Sequence, residues 1–240
     1  MPAYNAASHL LEAIESILAQ SFEDFELLVV DDGSTDNTLA LAKSFDDKRI
    51  RVELLPSNKG RATARNMASG RARGRYLAWM DADDIAMPHR LEAQHACLEA
   101  QSQIHICGAG VQYFEQSSAL ELFPEQPGAT RAATLFGVPV PNCCVMVRLD
   151  AMRAFGLRYD ASLARAEDMA FWADALLKAG LQAVNLQEPL LHYRYAPAAH
   201  ARQWHMRALL GHVFPPLGIR ATGAQAALHA RLIYGGPAEP

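Results

Sequence analysis

The 240-residue sequence has little cysteine and no excess of positive charge. Its cysteines are Cys97, Cys107, Cys143 and Cys144, and they show none of the paired spacings that hold zinc. Three lie in apolar runs and read as buried thiols of a cytosolic protein, not as a disulfide framework. No run of eighteen apolar residues occurs, so no membrane-spanning helix is expected. Nothing at the N-terminus has the form of a secretory leader. A net charge of −4 and a pI near 6.1 exclude a global pull toward nucleic acid or an anionic membrane. Internal repeats and low-complexity blocks are absent too. Apolar residues are plentiful: they make up 50% of the chain, enough for one well-packed domain with a small appendage.

The periodicity alternates. Leu10, Leu11, Ile14, Ile17 and Leu18 predict an amphipathic helix over 7–20. "FELLVV" (25–30) reads as a strand that stops at the turn signal "DDGS". A helix over 35–45, a strand over 50–55 closed by Pro56, a helix after Gly60 to residue 72 and a strand over 75–80 follow. Helices alternating with strands imply an α/β domain, a mostly parallel central sheet with helices on both faces. Ligands of such sheets bind at the carboxyl ends of the strands, where Asp31, Asp32, Asp81 and Asp83 all fall. Further on, Pro88 opens a helix with Leu91, His95 and Leu98 on one face. Strands are expected at 104–114 and 143–147, a loop at 115–130, and a helix over 168–179 ended by Gly180. "LQAVNL" (181–186) and "LLHYRY" (190–195) read as two more strands. From about 198 the chain is helical with a break at Pro215–Pro216, and "GGPAEP" reads as a frayed tail.

"YLAWMDADDI" (76–85) poses the chemical question. Three carboxylates crowd the end of an apolar strand, where they repel one another. A divalent cation on a phosphate would relieve them, since Mg²⁺ and Mn²⁺ prefer hard oxygen ligands. A helix N-cap would account for one of the three, Asp83 or Asp84. An Asp-x-Asp at a strand end fits a phosphohydrolase of the haloacid dehalogenase type or a nucleotide-sugar enzyme. The first wants a later Gly-Asp-x-x-x-Asp, which this chain lacks.

An ordered set of segments favours the second. "MPAYNA", "AIESILAQSFEDFELLVVDDGSTDNT", "NKGRATARN", "YLAWMDADD", "AEDMAFWADAL" and "EPLLHYR" resemble, in order, the motifs of glycosyltransferase family 2 over residues 1 to about 195. The resemblance implies the Rossmann-like GT-A fold: a domain over 1–197, with a nucleotide-binding half (1–100) and an acceptor half (101–197), then a helical extension over 198–234 and a flexible tail over 235–240. It implies metal-dependent transfer of one sugar with inversion. The donor is a nucleotide sugar, UDP-linked at the family level, and the acceptor a saccharide or lipid-linked molecule.

Residue by residue, the resemblance puts Pro2, Ala3 and Tyr4 in the base pocket with Asp31 or Asp32 on the base. The other Asp of that pair is left to hold a turn before Gly33. Asp81 meets the ribose or the metal, and Asp83 holds Mn²⁺ or Mg²⁺ on the diphosphate. Arg65 and Lys59 contact the diphosphate; Arg71 and Arg73 read as a solvated helix face. Asp168 is the general base, because a sugar hydroxyl is a poor nucleophile until a carboxylate takes its proton. Its neighbour Glu167 projects about 100° away on a helix, so one of the two aims into the site. Both also suit the positive N-terminus of the helix that follows. Asn142 falls where a sugar approaches, and His192 reads as pocket or core. His200, His205, His212 and His229 read as surface or packing.

Two departures from the family qualify this. The family's first strand runs for several residues before Pro-x-Tyr-Asn, and here only Met1 stands in its place. Its loss leaves neighbouring strands with unpaired backbone groups, each costing roughly 1–3 kcal/mol. Either a segment lies upstream of an internal Met1, or another segment replaces the strand, or the product is a catalytically inactive nucleotide-binding scaffold. The Gln-x-x-Arg-Trp of processive polymerases is also missing: "ARQWHMR" (201–207) has Gln203–Trp204 in another spacing. A non-processive enzyme of surface polysaccharide synthesis is implied. It would be cytoplasmic, seated peripherally at the inner face of the plasma membrane, with the C-terminal helices as a docking or homodimer surface.

Overall fold

The computed structural model describes residues 1–194 and 202–234. The order of elements follows the hydrophobic pattern. Strand β1 (Pro2–Ala3) leads to helix α1 (Leu10–Leu18), whose Leu10, Ile14 and Ile17 recur on one face and are buried. Strand β2 (Leu27–Asp31) is buried on both faces, and helix α2 (Thr38–Lys43) and strand β3 (Ile50–Leu54) follow. Helix α3 (Arg61–Arg71) and strand β4 (Tyr76–Trp79) complete the alternating part. The helices over 7–20 and 35–45 are shorter than predicted, as frayed ends usually are.

Strands β1, β2 and β3 form a parallel sheet, as expected, and a second sheet is mixed. The second sheet runs β4, β8 (Val145–Arg148), β6 (Ile106–Phe114), β9 (Ala183–Arg194) and β5 (Ile85–Ala86), with β7 (Leu120–Glu121) on β6. Only β6 and β9 pair in parallel; β4/β8, β6/β8, β6/β7 and β5/β9 are antiparallel. Beyond residue 100 the regular strand–helix–strand crossovers that impose parallel pairing give out. The two strands expected at 181–195 are one, β9. A register shift between Ala109 and Val111 absorbs Pro189, which has no N–H to give the ladder. The loop expected at 115–130 holds β7 and the start of helix α5 (Pro127–Ala133), with proline at its first position. Helix α4 (Arg90–Ala100) forms after Pro88, and α6 (Leu149–Ala154) forms where the sequence pattern predicts none.

Helices cover both faces. Leu28 and Val30 of β2 share a core with Ala62, Ala64 and Ala68 of α3, whereas Leu27 and Val29 pack with α1. Likewise Val145 and Val147 face the α3 side, and Met146 faces Leu91 and Leu98 of α4. The halves 1–100 and 101–197 thus share one core. Helix α7 (Glu167–Ala173) continues as a π-turn over Asp174–Lys178. Helix α8 (Arg202–Ala208), the π-turn over Leu209–Val213 and helix α9 (Gly223–Tyr234) pack on it through Ala208, Leu209, Val213, Ala226 and Ala230, which cluster with Met169, Ala170 and Ala173. His212 ties the extension down, with Nδ1 3.0 Å from Asp174 and Nε2 3.4 Å from Asp160. The predicted tail at 235–240, His200 and the boundary at 197 lie outside the described residues. The four cysteines are free thiols, three of them buried.

Strand β1 is two residues long. Strand β1 reaches only Val30 and Asp31 of β2, and beyond it a cavity of about 540 Å³ opens between the two sheets. Leu27, Leu28, Leu77, Ala78 and Trp79 line it, so strand edges face each other across it without a strand between. Met1 sits at its mouth, its amino group donating to the Leu28 carbonyl at 2.9 Å. Burial pushes that group's pKa down from 8.0 to about 5.

A depressed amine pKa means the unfolded chain binds the extra proton between about pH 5 and 8, so stability rises with pH across that window. The effect is on the order of a few kcal/mol. Fusing a short alternating apolar segment ahead of Met1 removes the amine and pairs both edges. Melts of the two proteins should differ most near pH 5, with the fused form higher by several degrees, on the order of 2–4 °C per kcal/mol. Equal melting temperatures at every pH would refute this account of the cavity.

Candidate active site

The first-half carboxylates stand at strand ends, and the fold gives each a different partner. Asp31 and Asp32 close β2 in the turn to Gly33, whose φ of +68° and backbone-to-backbone approach to Ser57 admit only glycine. One Asp31 oxygen accepts from the Ser34 amide and hydroxyl; the other, Oδ2, is buried with no partner among the described residues. Asp32 spends both oxygens on backbone, accepting from Lys59 N at 2.7 Å and Gly60 N at 2.8 Å. Asp32 thus anchors the 59–60 loop, while Asp31 holds the turn through Ser34 with one oxygen and keeps the other. The Ala3 carbonyl accepts from the Asp32 amide at 2.8 Å, which sets Pro2–Tyr4 beside them, with Tyr4 exposed.

Asp81 finds a guanidinium. Arg65 projects from α3 with its side chain 3% exposed, one end 2.8 Å from Asp81 Oδ1 and the other 2.8 Å from Glu167 Oε1. It lies over the Tyr159 ring, 5.5 Å from its centroid. Asn142, with its amide oriented to satisfy both neighbours, donates to the Tyr159 hydroxyl at 2.7 Å and accepts from Arg65 Nε and Nη2 at 3.1 and 3.2 Å. Asn66 fixes Tyr159 in turn, bonding both its N–H and C=O at 2.8 Å, and the Tyr159 ring stacks on Phe171 of α7 at 4.2 Å. Asn142, expected near a sugar, thus belongs to the frame around Arg65. Tyr159 and Asn66 carry no sequence signal of this role beyond the Ala-Arg-Asn that contains Asn66.

Burial works against the charge of Asp81, yet Arg65 and then Arg61 hold its pKa below the usual value. Asp83 and Asp84 lack such a cation, and burial followed by the Asp81 charge raises both, Asp84 to about 8. Arg194, at the end of β9, holds this loop by its backbone: its Nε donates to the Asp83 carbonyl at 2.8 Å and its N–H to Asp84 Oδ1 at 2.9 Å. Asp84 Oδ2 remains buried without a partner among the described residues. The half-exposed Asp83 carboxylate has the hard-oxygen chemistry a divalent cation takes. No group of three or more His, Cys, Asp or Glu converges among the described residues. An ion held here by Asp83 and Asp81 would draw its other ligands from substrate and water, the usual manner of Mg²⁺. That fits.

Glu167 and Asp168 open α7 after Ala166, a non-glycine residue at φ +59°. They diverge as a helix start requires. Glu167 is buried, and its Oε1 accepts from Arg65 and lies 3.3 Å from Arg61 Nε. Its Oε2 has no partner among the described residues, and burial, then Asp168, raise its pKa. Asp168 is half-buried, with Oδ1 on the Met169 amide at 2.8 Å. Arg65 joins Asp81 to Glu167, residues 86 positions apart, and Asp168 is the next residue along. Arg61 escapes sequence reasoning, although it sits inside the matched motif. Lys59 is exposed, and Arg71 and Arg73 lie away from the carboxylates, Arg73 using its amide on Glu26. His192 packs half-buried against Phe114, and His229 bonds the Leu135 carbonyl at 2.6 Å.

A family model described as "Glycosyl transferase family 2" matches residues 1–145. The chain is 31% identical over 188 residues to UDP-Glc:alpha-D-GlcNAc-diphosphoundecaprenol beta-1,3-glucosyltransferase WfgD of Escherichia coli, covering 77% of this chain and 71% of that one. Its fold is similar to that of Staphylococcus aureus TarS 1–349 in complex with UDP, with a TM-score of 0.74 at 21% identity over 97% of this chain and 68% of the other. It is also similar to the mannosyltransferase PcManGT of Pyrobaculum calidifontis in complex with GDP-Man and Mn²⁺: TM-score 0.63, 20% identity, 96% and 67% coverage.

The ion network predicts a non-additive stability series. Arg65→Ala leaves Glu167 buried without its nearest cation and should cost roughly 3–5 kcal/mol, a fall in melting temperature on the order of 10 °C. Arg65→Ala combined with Glu167→Gln should recover part of that loss, because only Asp81, and no longer the buried Glu167, is then left without its cation. Additive losses in thermal melts would contradict the coupling.

Proposed function

The chain belongs to glycosyltransferase family 2 and is a glycosyltransferase of the GT-A fold, and from that premise we propose the following reaction. It transfers a single sugar from a UDP-linked donor to a saccharide or lipid-linked acceptor, with inversion, in surface polysaccharide synthesis. Membership of the family sets aside the phosphohydrolase alternative. The observation that carries the reading is Arg65 joining Asp81 to Glu167, the residue next to Asp168, at 2.8 Å each. UDP in the TarS complex and the lipid diphosphate in the WfgD name support donor and acceptor class.

The roles follow from which atoms are already engaged. Asp31 Oδ2, buried and unpartnered, accepts from a base N–H, beside Pro2, Ala3 and Tyr4. Asp32 works indirectly by fixing the loop at Lys59 and Gly60. Asp83 and Asp81 would hold Mn²⁺ or Mg²⁺, which when bound neutralises charge on the leaving diphosphate. Asp168 takes the proton from the acceptor hydroxyl as the new bond forms. Glu167 does not suit that role, because its Oε1 is shared by two guanidiniums and the residue is closed off from solvent. It is a positioning residue, and Arg65, ion-paired at both ends, is another. One displacement needs only one base, so no paired-carboxylate hydrolase mechanism is invoked.

A peripheral seat at the inner face of the plasma membrane is part of the reading. Residues 195–234 contain four arginines, Arg202, Arg207, Arg220 and Arg231, and no carboxylate, in a chain of net charge −4. Leu228 and Leu232, one turn apart on α9, are exposed. Among the described residues no helix is long and apolar enough to cross a membrane. The same face would serve a homodimer.

Two measurements check the proposal. UDP with Mn²⁺ should raise the melting temperature, by the equivalent of about 2.7 kcal/mol at a hundred times Kd. Asp168→Asn should keep that shift while sugar transfer falls by a factor on the order of 10²–10⁴. If the parent protein binds UDP and transfers nothing to any saccharide or lipid-linked acceptor, the inactive-scaffold alternative stands instead.

A further inference from the structure

The family resemblance gives the diphosphate to Lys59 and Arg65, both within the segment 58–66, and the geometry there points elsewhere. The backbone amides of Lys59 and Gly60 point at the Asp32 carboxylate, so they are not available to a phosphate. Arg65 is buried, with Asp81, Glu167 and Asn142 occupying its donors. Releasing it to a ligand would strand two carboxylates. Lys59 does not figure among the main charges acting on Asp81 or Glu167.

Arg61 differs on each count. It is the first residue of α3, directly after Gly60 at φ +89°, and its side chain is 56% exposed. Among the described residues its side chain makes one ion pair, Nε to Glu167 Oε1 at 3.3 Å, and neither Nη group takes part in it. That oxygen is already held by Arg65 at 2.8 Å, so Glu167 stays paired when Arg61 leaves. Through the shared Glu167 oxygen and Arg65, Arg61 belongs to the chain of ion pairs that ends at Asp81.

We propose that Arg61 is the side chain that meets the donor's diphosphate, exchanging its outer hold on Glu167 for a bidentate hold on phosphate oxygens. This rests on the reading of the site as a nucleotide-sugar site. The planar guanidinium fork suits two phosphate oxygens, and the exchange trades a longer, shared contact for charge-assisted hydrogen bonds. It makes Arg61 a sensor of the diphosphate: donor binding withdraws one of two cations from Glu167, the neighbour of the proposed base.

The test compares UDP with uridine, which carries the same base and ribose and no phosphate. Affinities of both for the parent chain, Arg61→Gln and Arg61→Lys are measured by calorimetry, in Mn²⁺ and in EDTA. In Arg61→Gln the preference for UDP over uridine should fall about tenfold or more in both conditions, with uridine affinity unchanged within about twofold. Arg61→Lys, with charge but no fork, should fall between. An unchanged preference in Arg61→Gln overturns the proposal. So does an equal loss of UDP and uridine with a lowered melting temperature, which makes Arg61 a structural partner of Glu167. If the parent binds neither ligand, the nucleotide-site reading itself fails and this assignment falls with it.

Discussion

One guanidinium organises this molecule. Arg65 is buried between Asp81, at the end of β4, and Glu167, at the start of α7, so it joins the nucleotide side of the crevice to the side that carries Asp168. Neither carboxylate would remain charged at that depth alone, and a buried arginine needs both. Tyr159 beneath it, Asn142 beside it and Asn66 behind Tyr159 fix the angle at which it meets them. The arrangement is costly to build, since three charges lose water. Its return is in geometry: two helices and a strand cannot shift without separating charges.

The same constraint sorts the acidic residues. Those with a cation or a row of amides, Asp81 and Asp32, serve the frame. Those left under-compensated are Asp83 and Asp84, whose pKa values burial raises, and Asp31, whose Oδ2 has no partner among the described residues. Sharing of Glu167 between Arg65 and Arg61 follows the same division, the inner arginine structural and the outer one exposed to the crevice.

The alternating first half was legible because hydrophobic period and turn chemistry agree there. Leu10, Ile14 and Ile17 announce α1, and "DDGS" ends β2 at the residue where the sheet opens. The second half was not, because its sheet is mainly antiparallel and its strands are as apolar as a buried helix. Pro189 hid the continuity of β9, since only a bulge makes a proline compatible with it. Among site residues, Asp81, Asp83 and Asp168 were readable from motif and position. The mutual engagement of Arg65 and Glu167 was not, because a sequence separation of 102 carries no spacing signal. Nor were Tyr159 and Arg61, whose parts depend on which neighbours are already occupied.

Arg194 has a consequence in time. It closes β9, and its contacts reach back to Asp83, Asp84, Glu115 and Glu12, the last across 182 positions. The loop bearing Asp83 therefore acquires its backbone partners only after nearly the whole described domain has emerged and paired. Contacts of such sequence separation form late, because loop closure must precede them. During synthesis the base-binding side can take shape while the acidic loop is still unanchored. Within residues 1–194 the loop bearing Asp83 is then among the last parts to gain its anchors.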